Sequence, residues 1–154
     1  MSILSLQEMA RRRTIRASHK PVITITRHGL DAKKLVYLAK ANKARPYPFG
    51  RSAIVYIGTT RRGVRRIASS AASKAQKLLG EHGVKQLDFF VVSCRPLRKV
   101  ETWRKLENAL ILTFRQQYGA VPLGNQIGKK QKWDDELEYF SERRLRAVLD
   151  KFSK

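Results

Sequence analysis

The run Ala53-Ile54-Val55-Tyr56-Ile57 places five apolar residues in succession and stops at Gly58. A strand with one wet face alternates apolar and polar residues, so an unbroken apolar run predicts a central strand covered on both faces. Such a strand obliges the chain to supply a layer on each side. The next residues supply one. After Gly63, the set Val64, Ile67, Ala68, Ala71, Ala75, Leu78 and Leu79 recurs at helical spacing, with Thr59 and Thr60 placed to cap the helix and Gly80 to end it. Its alanines permit close approach to a sheet.

Other elements follow from the same periodicities. Lys85 to Ser93 predicts a strand through Leu87, Phe89, Phe90, Val91 and Val92. Val100 to Tyr118 predicts the longest amphipathic helix, with Val100, Trp103, Leu106, Leu110, Ile111 and Phe114 on one side and Gly119 and Pro122 at its end. A last helix is expected from Asp134 or Asp135 to Phe152. Before these, Val22 to Thr26 is β-branched throughout and predicts a short strand. Asp31 is placed to cap a helix through Lys40, although Leu35-Val36-Tyr37-Leu38 also fits a strand. Ala44 to Ser52, with Pro46, Pro48 and Gly50, predicts a loop. The order implies an α+β domain over residues 21–154, a small mixed or antiparallel three-stranded sheet flanked by helices, preceded by a basic arm or helix over residues 1–20.

The chain has 154 residues and carries 33 Lys and Arg against 12 Asp and Glu, a formal charge of +21. That balance draws phosphate-rich polymers, while the 42% hydrophobic content argues against a disordered basic tail as the whole chain. The single cysteine, Cys94, and three histidines supply neither an internal disulfide nor a zinc-finger spacing, as expected of a reducing, cytoplasmic or other nucleic-acid-containing compartment. No run approaches eighteen apolar residues, so no transmembrane segment is expected, and MSILSLQEMARRR lacks the order of a secretion signal.

Several residues break the bland pattern. Glu107 lies four residues after Trp103 and four before Ile111, inside an apolar stripe, where a carboxylate needs a cation, a donor or a metal. The plainer account puts it at the stripe's edge, paired with Arg104 or a lysine. Gly58 allows close approach beside Tyr56, and Arg61, Arg62, Arg65 and Arg66 cluster just beyond. Asn125 follows Pro122-Leu123-Gly124 and leads to Lys129, Lys130 and Lys132. Arg11, Arg12, Arg13 and Arg16 form a further basic block.

Tyr56-Ile57-Gly58, Arg66 eight residues after that glycine, Glu107 within Leu106-Glu107-Asn108-Ala109-Leu110-Ile111, and Asn125 after Pro122 together resemble the GIY-YIG nuclease superfamily. The resemblance covers about Ala53 to Asn125. It departs from the family's pattern at the front, where Leu35-Val36-Tyr37 lacks the glycine, and at Ser70, where many relatives carry histidine.

What the resemblance implies is a magnesium-dependent DNA endonuclease, with manganese as a substitute cation. Glu107 would hold one metal ion, Arg66 would bind the phosphate as charge accumulates, and Tyr56, or in second rank Tyr37, would orient or deprotonate the attacking water. Gly58 and Asn125 would support them. The arginine and lysine clusters would track the backbone of double-stranded DNA, with RNA left open beside it. The alternative is a noncatalytic nucleic-acid-binding or ribonucleoprotein structural protein that keeps the nuclease-like fold.

Overall fold

Leu35, Val36, Tyr37, Leu38 and Ala39 are all buried, and a strand can send such successive side chains to two different cores. A helix over the same residues would bury one side and leave Val36 or Tyr37 in water. The computed structural model, which describes residues 16–20, 33–80, 83–126 and 132–154, accordingly places strand β1 at Leu35–Tyr47. The helix expected from Asp31 to Lys40 is thereby corrected to the strand alternative. The expected Leu4–Arg13 helix and Val22–Thr26 strand lie outside the described residues.

Strand β2 spans Gly50–Thr60 and β3 spans Leu87–Val92, both antiparallel to β1, in the order β2-β1-β3. The central strand is therefore β1. The apolar run in β2 is covered on both faces as expected, but it lies at an edge of the sheet. The expected loop between them shrinks to Pro48 and Phe49, because β1 reaches Tyr47 and β2 begins at Gly50.

Helix α1, Val64–Leu78, covers one face: Ile67 is buried with Leu35 and Tyr37, and Leu78 with Ala39, Ala41 and Val55. Its N-cap is Gly63, with φ of 70°, while the Thr60 hydroxyl accepts the Arg62 N–H just ahead of the helix. The opposite face belongs to α2, Thr102–Tyr118, whose Trp103, Leu106, Leu110, Ile111 and Phe114 meet Val36, Leu38, Ile54 and Ile57. The expected last helix divides into α3, Glu136–Tyr139, and α4, Glu142–Ser153, because Phe140 and Ser141 are extended. Leu145 and Leu149 bring α4 into the α2 core, and the Ser153 hydroxyl accepts hydrogen bonds from both Ser52 and Tyr118 at 2.9 and 2.8 Å. These elements form a small α+β fold, a three-stranded antiparallel sheet flanked by helices.

Two features of the β1–β2 hairpin matter later. Ala39 pairs with Tyr56 and Lys40 with Ile54, so Val55 is an extra residue, a β-bulge of the kind that re-aims a side chain. Nearer the tip, Tyr47 braces the turn. Its hydroxyl donates to the Ile54 carbonyl at 2.8 Å and accepts the Leu123 N–H at 3.2 Å, and its ring meets Phe114 edge-on at 5.0 Å.

Burial pushes the Tyr47 phenol up to about 12, against the smaller opposing influence of the Leu123 N–H. The folded state therefore holds this proton more tightly than the unfolded chain, whose tyrosines titrate near 10. Stability from Tyr47 is complete below about pH 10 and is lost as pH rises toward 12. Tyr47→Phe should lower stability by about 1–2 kcal/mol at neutral pH through the two hydrogen bonds. It should also flatten the alkaline fall in urea midpoint between about pH 10 and 12; an equally steep fall in the variant would contradict the assignment.

Candidate active site

Tyr37 and Tyr56 project from adjacent strands on the α1 side of the sheet, with ring centroids 5.8 Å apart. Gly58, paired with Tyr37, makes this possible. A Cβ there would come within 2.7 Å of the Tyr56 ring, 2.8 Å of its hydroxyl and 3.0 Å of Tyr37 Cζ. The glycine expected to permit close approach does so, and what approaches it is the tyrosine pair itself.

The free edge of β2 is closed by the loop after α2. Gly124 N–H donates to the Val55 carbonyl at 2.7 Å, at the bulge. Asn125 then uses its side chain as a strand would use its backbone: Oδ1 accepts the Ile57 N–H at 2.9 Å and Nδ2 donates to the Ile57 carbonyl at 2.7 Å. Gly124 lies so close that a Cβ would meet the Val55 oxygen at 3.0 Å and Tyr56 at 3.2 Å. Asn125 thus fixes the backbone between Tyr56 and Gly58, a positioning role.

Lys74, which the sequence does not single out, completes this side. Its ammonium lies 4.2 Å from the Tyr56 ring centroid and donates to the Gly124 carbonyl at 3.0 Å. Burial, with help from the charge of Lys77, lowers its pKa from the ordinary lysine value. A signal for it exists in the sequence: Arg66, Ser70 and Lys74 are spaced four apart, which is one stripe of a helix.

Glu107 belongs to α2, on the other side of the sheet, and is half-buried beside Leu106 and Ile111. Arg104 pairs with Glu101 at 3.3 Å, and Lys105 pairs with Asp135. The Tyr56 phenol is pushed well above its usual value, first by burial, then by Tyr37, then by the Glu107 carboxylate. At neutral pH Tyr56 is a neutral phenol, able to donate one hydrogen bond and accept others.

The arginines are less gathered. Arg66 is exposed in the first turn of α1, beside buried Ile67, and its guanidinium makes no ion pair among the described residues. Arg61 pairs with Glu101 at 2.6 Å, while Arg62, Arg16 and Lys132 are exposed. The Arg65 side chain, Arg11, Arg12, Arg13, Lys129 and Lys130 lie outside the described residues. The structure therefore joins Tyr37, Tyr56 and Gly58 by contact, ties Asn125 to the Ile57 backbone between the last two, links Glu107 to Tyr56 electrostatically, and leaves Arg66 in solvent.

Among the described residues, no three His, Cys, Asp or Glu side chains gather to hold a metal ion, and no helix is long and apolar enough to cross a membrane. Comparisons with protein-family models, curated proteins and solved structures return no match.

Proposed function

We propose that this chain is a metal-dependent endonuclease of the GIY-YIG kind that hydrolyses DNA phosphodiester bonds. The observation that carries the proposal is a neutral Tyr56 phenol, set against Tyr37 over Gly58 on a strand clamped by Asn125, with the Glu107 carboxylate acting on it electrostatically. A phenol and one carboxylate beside a cationic surface are the groups that phosphodiester hydrolysis needs: an orienter for water, and an anchor for a charge-neutralising cation.

The donor set fits magnesium better than an ion caged by protein. Magnesium keeps several waters and takes substrate phosphate oxygens, so the single half-buried carboxylate of Glu107 is a sufficient protein anchor. Such a cation, when bound, supplies neutralisation of the charge that develops on the phosphate.

The remaining work falls to this chain's own residues. Tyr56, held neutral by its surroundings, accepts and donates hydrogen bonds to align a water for in-line attack, rather than removing its proton as a phenolate. Tyr37 and Gly58 fix the ring, and Asn125 fixes the strand under it. Arg66, exposed in the first turn of α1, binds the phosphate from the α1 side. Overall a P–O bond forms to the water oxygen, the P–O bond to the leaving deoxyribose oxygen breaks, and one water proton ends on that oxygen.

The test is incubation of supercoiled plasmid and a broad panel of labelled duplexes with the protein in magnesium, manganese or chelator. Cation-dependent nicking, with nicked circles accumulating before linear DNA, is the expected result. A folded protein that binds duplexes in a salt-sensitive way yet cuts none of the panel would instead assign the noncatalytic nucleic-acid-binding role.

A further inference from the structure

Phe49 is 73% exposed, the most exposed large hydrophobic residue among those described, yet its backbone and one edge of its ring are tied to the end of α2. It occupies the second position of the two-residue turn joining β1 to β2. Its backbone N–H donates to the Tyr118 carbonyl at 3.0 Å, and its ring and Pro48 lie over Gly119, where a Cβ would be 2.9 Å from each. Tyr47, one residue before the turn, is tied by its hydroxyl to both Ile54 and Leu123. An aromatic ring with one edge braced and most of its surface in water has paid in advance the ordering entropy of a contact.

The surroundings indicate what that contact is. Between Asp31 and Glu81 the chain contains no Asp or Glu, whereas Lys43, Arg45 and Arg51 all belong to this hairpin. The Arg51 guanidinium is itself held, donating to the Ala44 carbonyl at 2.9 Å. A braced aromatic on a basic hairpin segment that has no carboxylate of its own is complementary to a nucleic acid, which offers flat apolar bases between phosphates. An acidic protein surface would satisfy the cations and leave the ring without a matching face.

We propose that Phe49 is a base-contacting wedge: it inserts against a base step of bound duplex DNA and unstacks or kinks it, while Arg51 and its neighbours hold the flanking phosphates. The inference rests on the nucleic-acid reading above but not on catalysis. Gly50 to Tyr56 is six residues of strand, roughly 20 Å at about 3.3 Å per residue. That span corresponds to roughly six base steps at about 3.4 Å each, so the wedge acts away from the tyrosine pair. It would bend or register the duplex relative to the candidate site.

The experiment uses the full chain and short duplexes that carry 2-aminopurine at successive positions, titrated at several salt concentrations. Wild-type protein should raise the fluorescence at one or two neighbouring positions, as a base leaves its stack. Phe49→Ala should abolish that rise and weaken binding by about 5- to 100-fold, the range for loss of one base–aromatic stack. Its salt dependence should stay unchanged because no charge is lost. Arg51→Ala should instead reduce the slope of log affinity against log salt by about one. Phe49→Trp should restore both fluorescence and affinity, and unchanged circular dichroism should show that the exposed residue is not needed for folding.

Equal affinity and equal fluorescence for wild type and Phe49→Ala would overturn the wedge while leaving nucleic-acid binding intact. A wild-type protein that binds no duplex at low salt would overturn both. A change from dimer to monomer in Phe49→Ala without any change in DNA binding would give the ring to a second copy of this chain and contradict the proposal.

Discussion

Asn125→Ala should lower folding stability by about 2–4 kcal/mol, because it strips two hydrogen bonds from one fully buried residue. Ile57 has no exposed surface, and its N–H and carbonyl both turn outward from β1 to the Asn125 amide. Alanine cannot replace either partner, so both backbone groups are left unsatisfied unless the loop lifts and admits water. Either response disturbs the strand between Tyr56 and Gly58. Asn125→Asp should rescue little: its carboxylate can still accept the Ile57 N–H, but it offers no donor to the carbonyl and places negative charge against it. Urea unfolding of the three proteins checks this. A midpoint in Asn125→Ala equivalent to a loss under about 0.5 kcal/mol would mean that the clamp is not formed.

How far such contacts can be foreseen depends on whether they are local. The Ala53–Ile57 run and the Val100–Tyr118 stripe are legible because burial on a strand or helix face leaves a periodic trace. Leu35 to Leu38 is ambiguous in the same terms, since four apolar residues suit a buried helix turn as well as a strand. Only the presence of β2 and β3 on its two sides decides in favour of β1. The central position falls to β1 for the same reason, and no property of Ala53–Ile57 alone distinguishes an edge strand whose outer side is covered by a loop.

The candidate site divides along the same line. Glu107 is visible as a charge interrupting an apolar stripe, and Gly58 as a glycine beside a strand tyrosine. The use made of Gly58, as room for Tyr37 and Tyr56, requires the pairing of Tyr37 with Gly58 across strands. Lys74 reaches Tyr56 from a helix eighteen residues later in the chain, and Asn125 reaches Ile57 from 68 residues away. The Val55 bulge that helps aim Tyr56 has no mark in the residues that form it.

Glu107→Gln should reduce magnesium-dependent cleavage by roughly two orders of magnitude, the scale on which loss of a major electrostatic group acts at a reacting centre. Glutamine keeps nearly the same volume and can still hydrogen-bond, so α2 should pack as before through Trp103, Leu106, Leu110 and Phe114. Lost is the negative charge proposed to anchor the cation. Removing one anion from a strongly basic surface also removes a repulsion toward phosphate, so duplex binding should be equal or tighter. Binding and cleavage are thus expected to move in opposite directions.

The most direct measurement is the single-turnover cleavage rate of a bound duplex in magnesium for wild type and Glu107→Gln, with affinity and thermal unfolding recorded on the same preparations. A proposed endonuclease whose carboxylate acts at the Tyr56 edge predicts a rate lower by about 100-fold or more in the variant, at unchanged unfolding temperature and undiminished affinity. Equal cleavage rates in the two proteins would contradict it.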